Sequence, residues 1–166
     1  MKRIKEMKDE DFKIKPIEFK KRDLRFAARA IVKKDDKIAI IHISKDNYYK
    51  IPGGGIKDGE SIKEGLIREV WEETGCRIII EEEVGEIVEY KTHWDMIQTS
   101  YCFTSTVTKI GKPHFTKKEL ESGSELIWTT IPKAIKLFKS SNMETYAAKF
   151  MATRDLTFLK EAEKIL

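Results

Sequence analysis

The 166-residue sequence contains no apolar run near the roughly 20 residues that span a bilayer. Its charged start, Met1–Lys15, is followed by no apolar stretch, so neither a membrane helix nor a secretory signal is expected. The two cysteines, Cys76 and Cys102, are too few for a disulfide framework and have no C-x-x-C metal spacing. A reducing, cytoplasmic setting is the expectation that follows. Repeats and low-complexity tracts are absent, and no proline lies between Pro52 and Pro113. Basic residues are also not gathered along the folding part of the chain, as a nucleic-acid footprint would require. The net charge of +4 resides in residues 1–25, with ten basic and six acidic side chains, while residues 26–166 hold 22 of each sign.

What is present is 40% hydrophobic residues, enough for the core of one domain. Residues 1–24 read as a basic leader packed as an extended segment, and residues 25–166 as a single domain. Arg25–Val32 and Lys37–Ile43 read as strands around a polar turn. After Tyr48–Ile51, Pro52-Gly53-Gly54-Gly55 stops regular structure and allows close backbone approach. From Ser61 the period becomes helical, opened by the capping box Ser61/Glu64 and closed by Gly75. Leu66, Ile67, Val70 and Trp71 share one side of that helix and are expected to face a core. Further strands are predicted at Arg77–Ile80, Val84–Tyr90, Met96–Val107 and Glu125–Ile131. A helix follows from Pro132, and a second capping box at Ser141/Glu144 is expected to open the terminal one. The pattern indicates an α/β layered domain with a mixed sheet.

Residues 58–89 carry eleven acids against three bases. Within them Glu69, Glu72 and Glu73 stand at i, i+3 and i+4, so one helix face collects three carboxylates. Like charges at this spacing destabilise a helix by roughly 0.2–0.5 kcal/mol per pair. A hard divalent cation reverses that sign, because Mg²⁺ prefers oxygen ligands. Arg68, four residues before Glu72, can hold that carboxylate. Taken alone, E-x-x-E-E reads more simply as a solvated acidic face.

The wider frame runs from Gly54 through five residues to Glu60, then seven residues to Arg68-Glu69-Val70-Trp71-Glu72-Glu73-Thr74-Gly75-Cys76. It resembles the Nudix box, G-x5-E-x7-R-E-U-x-E-E-x-G-U, departing only in Cys76 at an aliphatic position. Chance would produce the seven fixed positions with a probability on the order of 10⁻⁶ over the chain. The resemblance implies an α/β/α sandwich and hydrolysis of a pyrophosphate bond in a nucleoside diphosphate derivative, with Mg²⁺ or Mn²⁺. It implies metal-binding roles for Glu69, Glu72 and Glu73, with the Gly53 carbonyl completing the site. Arg68 would orient a glutamate, Glu69 would act as general base, and Glu60 would support them from outside the metal's own ligands. A downstream glutamate takes part in some relatives, and Glu121 is the candidate here among Glu119, Glu121 and Glu125; each of the three also reads as a solvated loop charge.

Tyr48, Tyr49 and His93 flank the box and are candidates to stack on a base, against the alternative of strand packing. A proline found in ADP-ribose-type relatives about fifteen residues after the box is missing here, where Tyr90 and Lys91 stand, which disfavours ADP-ribose. The preferred substrate is a (d)NTP or oxidised nucleotide. The alternatives are RNA with a 5′ pyrophosphate, which the basic leader would serve, and a non-catalytic nucleotide-sensing module, which typically loses box residues that this sequence retains. Many relatives form homodimers, and no membrane association is expected.

Overall fold

Alternating apolar residues build one eight-stranded sheet. In a computed structural model that describes residues 1–166, the strands are β1 (Arg3–Lys8), β2 (Asp23–Lys34), β3 (Lys37–Ile43), β4 (Tyr48–Lys50), β5 (Gly53–Gly55), β6 (Arg77–Lys91), β7 (Met96–Lys109) and β8 (Ser124–Thr129). The helices are α1 (Ile62–Thr74), α2 (Lys117–Glu121), α3 (Ile131–Lys139) and α4 (Tyr146–Ala162). No helix is long and apolar enough to cross a membrane.

The sheet runs β1-β6-β7-β2-β3-β4, with β5 added to β2 and β8 to β3. It is mixed: β2 lies parallel to β7 from Asp23 opposite Met96 to Lys33 opposite Thr106, whereas β6 and β7 form a long antiparallel pair. Strand β2 forks. It pairs with β3 only at Lys33 and Lys34, beside the turn, and its other end takes β5 at Ala27–Arg29. The fork seats the triple-glycine segment against the centre of the sheet.

Side chains of β2 alternate between two cores, as the period of a strand requires. Ala28, Ala30 and Val32 pack with Leu66 and Val70 of α1 and with Phe103. Ile31, on the opposite face, packs with Met7, Ile87, Cys102 and Phe150, Phe158 and Leu159 of α4. The result is three layers: α1, the sheet, and α3 with α4. Both cysteines are free and buried.

Four local expectations differ from the structure. Ile67 and Trp71 are 47% and 44% exposed, because Ile62, Leu66 and Val70, one helical turn apart in succession, occupy the narrow stripe facing the sheet. Trp71 stacks on His114 at 4.1 Å instead. The strands at Arg77–Ile80 and Val84–Tyr90 are one strand, β6, whose register shifts between Ile80 and Gly85 let the acidic run Glu81–Glu83 bulge without breaking it. Helix α4 is capped by Thr145, whose hydroxyl accepts the Ala148 N–H at 3.1 Å. Ser141 serves another purpose and accepts the Tyr49 N–H. In the leader, the strand forms over Arg3–Lys8, parallel to β6, while Phe12 lies in a 3₁₀ turn.

Candidate active site

Helix α1 is fixed at both ends. The Ser61 hydroxyl accepts the Glu64 N–H, and the Glu64 carboxylate accepts the Ser61 N–H at 2.8 Å. Gly75 ends the helix at φ +72°, with the Lys112 backbone so near that a Cβ would lie 2.2 Å from its carbonyl oxygen. The segment after β7 then covers the helix end, where the His114 N–H donates to the Glu72 carbonyl at 2.6 Å. With both ends set, the rotation of Glu69, Glu72 and Glu73 relative to the glycine segment is determined.

Arg68 is the hub of the exposed part of the cluster. Its Nε and Nη2 donate to the two oxygens of Glu60 at 2.6 and 2.9 Å, a bidentate pair. Nη2 also donates to the Gly55 carbonyl at 2.9 Å, and Nη1 to Glu69 at 2.7 Å, with Glu72 farther away at 3.4 Å. The sequence pointed to Glu72 as a partner that Arg68 can hold, and that i, i+4 pair forms at 3.4 Å. The bidentate place goes to Glu60, because a planar fork matches the two oxygens of one carboxylate lying in its own plane. Arg68 and the Lys57 N–H together hold the Glu60 carboxyl at a pKa of about 2.

Glycines make the approach to these carboxylates. A Cβ on Gly54 would lie 2.2 Å from a Glu69 carboxylate oxygen, so Glu69 lies directly against the bare backbone. Gly53, at φ +135°, meets the Ala28 carbonyl where a Cβ would sit at 2.1 Å. Its N–H donates to Glu73 Oε2 at 2.8 Å, and its carbonyl accepts from the Arg29 guanidinium.

Glu73 differs from its neighbours on the helix. It is 1% exposed, and its other oxygen, Oε1, accepts the ammonium of Lys50 on β4. Burial pushes its carboxyl pKa up, against the opposing pull of Lys50 and the Gly53 N–H. Around it lies a buried charged group that reaches α4: Asp155 accepts the Ile51 N–H at 2.9 Å, Arg154 pairs with Asp155 at 2.6 Å and with Glu89 at 3.3 Å, and Lys91 pairs with Glu89 at 2.9 Å. Burial lowers the Lys91 ammonium to a pKa of about 8.

The structure therefore brings together Gly53, Glu60, Arg68, Glu69, Glu72 and Glu73. Glu121 stands apart on α2, 4.0 Å from Lys117, with its side chain 65% exposed. Its neighbours are engaged locally, Glu119 in a capping box with Thr116 and Glu125 beside His42 at 3.7 Å. Tyr48 is buried with its hydroxyl on the Met151 sulfur, and Tyr49 stacks on His42 at 4.5 Å. His93 packs against Tyr146 and bonds the Lys15 carbonyl at 2.9 Å. The partners of these three rings are other parts of the fold, and none of the three hydrogen-bonds a box carboxylate. Sequence reasoning missed Arg29, Lys50 and Asp155. Arg29 had a signal, as a single charge inside the apolar run Ala27–Val32; Asp155 had none.

The donor set of the cluster is hard: carboxylate oxygens with the Gly53 and Gly55 carbonyls. That chemistry suits a divalent cation of the Mg²⁺ or Mn²⁺ type. In this arrangement the carboxylates are drawn onto Arg68 and Lys50, and no three acidic, histidine or cysteine side chains close around one point. Cation binding would therefore need these contacts with Arg68 and Lys50 to loosen on a fixed backbone.

Comparison with known proteins decides the family: the NUDIX domain model matches residues 23–152. The chain belongs to the Nudix family. This Nudix chain is 34% identical over 58 residues to a MutT-like protein of Streptomyces ambofaciens, covering 35% of this chain and 38% of that one. It is 39% identical over 69 residues to an ADP-ribose pyrophosphatase of Methanocaldococcus jannaschii, covering 34% and 40%. The matched regions thus span less than half the length of either relative. Among solved structures, a NUDIX hydrolase from Nitrosomonas europaea superposes with a TM-score of 0.65 at 18% identity, over 84% of this chain and 88% of that one. The α/β sandwich is therefore the Nudix fold, and the matched span begins where β2 begins.

Proposed function

We propose that this protein hydrolyses a pyrophosphate bond in a nucleoside diphosphate derivative, using a divalent cation held by Glu69, Glu72 and Glu73 with the Gly53 carbonyl. The observation that carries this reading is the packing of helix carboxylates against a bare glycine backbone, Glu69 in the space that Gly54 leaves open and Glu73 on the Gly53 N–H, with Glu72 beside them on the same helix face. An acidic site can approach a pyrophosphate only through cations. A bound divalent cation would neutralise phosphate oxygens and lower the pKa of a water. Glu69, held between Arg68 and the Gly54 backbone, would accept the proton of the attacking water. Arg68 would hold Glu69 and Glu72 in orientation while tied to Glu60 and Gly55.

The preferred substrate class is a nucleoside triphosphate, oxidised forms included. Arg25 supports it: its guanidinium lies against Gly55, where a Cβ would be 3.2 Å away, and it adds a cation on the sheet side of the loop. A long polyphosphate tail carries more charge for such a cation to meet than a sugar-linked diphosphate does. The similarity to the Methanocaldococcus ADP-ribose pyrophosphatase favours a second reading, ADP-ribose. Purified protein should be incubated with (d)NTPs, oxidised dNTPs, ADP-ribose and 5′-triphosphorylated RNA, each with Mg²⁺ or Mn²⁺. Nucleoside monophosphate and pyrophosphate from the triphosphates is the expected outcome. Cleavage of ADP-ribose alone would overturn the substrate class. No cleavage of any member would overturn the hydrolase reading in favour of a nucleotide-sensing module.

A further inference from the structure

Lys50 has no part in the reaction proposed above, yet its ammonium sits directly on a box carboxylate. Glu73 is buried, and its Oε2 is committed to the Gly53 N–H at 2.8 Å. Oε1 is therefore the one oxygen left for a metal, and the Lys50 ammonium sits on it. The two cations of the site are held differently. Arg68 is anchored by Glu60 and the Gly55 carbonyl as well as by Glu69, so losing one carboxylate leaves it in place. Lys50 has Glu73 as its single ionic partner, and its side chain is 14% exposed at the end of a three-residue strand. A lysine at such a position can leave by rotating its flexible stem, carrying a well-hydrated charge back to water.

We infer that Lys50 is a placeholder cation: its ammonium neutralises Glu73 while no metal is bound and is displaced from Oε1 when a divalent ion enters. The inference rests on the reading of the box as a metal site. It makes metal uptake an exchange of one cation for another, so a buried carboxylate is never left unpaired. The placeholder also weakens metal affinity, because each binding event must break the Lys50–Glu73 pair.

The test uses the full chain stripped with EDTA, with Mn²⁺ alone and Mg²⁺ alone titrated by calorimetry into wild type, Lys50→Met, Lys50→Arg, Glu73→Gln and the double variant Lys50→Met/Glu73→Gln. Lys50→Met should melt lower than wild type in EDTA, yet bind Mn²⁺ about tenfold tighter, the size of one charged hydrogen bond, and gain more in Tm from saturating Mn²⁺. Lys50→Arg should restore the stability in EDTA, and the tightening should vanish in the Glu73→Gln background. Metal binding by Lys50→Met that is equal to or weaker than that of wild type overturns the placeholder role and leaves the metal site standing. Wild type that takes up neither ion overturns the metal site and the placeholder together.

Discussion

Gly54 acts through what it lacks. Its backbone needs no unusual torsion, but the space its Cβ would fill is held by the Glu69 carboxylate. Gly54→Ala should therefore displace Glu69 and lower kcat by about 10²-fold, as small misplacements of reacting groups do. Circular dichroism and Tm close to wild type would place the effect in the site rather than in the fold. Glu60 makes a prediction in pH. Its folded pKa, about 2, lies below the ordinary carboxylate value of 4.5. A depressed carboxylate contributes stability that is present above pH 4.5 and lost as pH falls toward 2. Glu60→Gln should lower Tm at pH 7 and flatten the acid limb of the Tm–pH curve across that window, read by calorimetry from pH 2 to 7. A parallel acid limb in the variant would show that Arg68 does not hold Glu60 in solution.

At the scale of elements, α4 is joined to the sheet by charge as well as by Phe150 and Phe158. Arg154 is fully buried between Asp155 and Glu89, and Asp155 in turn takes the Ile51 N–H just before the glycine segment. Removing one partner leaves the others as uncompensated buried charges. Arg154→Met should destabilise the protein by about 3–5 kcal/mol in urea unfolding, and joint replacement of Arg154, Asp155 and Glu89 by apolar residues should cost less. Helix α1 shows which features the sequence makes legible. Its cap, its glycine stop and its box spacing are local, so Ser61, Gly75 and the glutamates could be placed without a structure. The Ser141/Glu144 pattern has the same form and caps nothing, because Thr145 stands nearer the first turn and Ser141 is engaged by Tyr49. Trp71 was misread because helical period gives the direction of a side chain but not the width of the sheet below it. Arg29, Lys50 and Asp155 reach the site across strand pairings and helix docking, which no local window contains.

For the molecule as a whole, the basic leader belongs to the sheet. Strand β1 runs along β6 from Arg3 to Lys8, Met7 is fully buried, and Asp9 accepts hydrogen bonds from Thr92 and Tyr146. Arg3, Lys5 and Lys8 lie on this edge strand, where charge discourages pairing with other chains. Deletion of residues 1–14 should lower Tm and bare the edge of β6, giving a rise in light scattering at concentrations where the full chain stays clear. An unchanged Tm would mean that the leader is detached in solution.

The forked strand β2 has a consequence for the order in which the protein assembles. The antiparallel pair β6–β7 is joined by a short turn at Thr92–Asp95 and can zip locally, and α1 carries its own caps. The parallel pairing of β2 with β7 must instead bring Asp23 to Met96 across the whole box. Closing so long a segment is slow. Until it closes, Ala27–Arg29 have no sheet to hold them while they receive β5. The glycine segment thus gains its final seat only when this non-local pairing forms, and catalytic competence should appear no earlier than the refolding phase that joins β2 to β7.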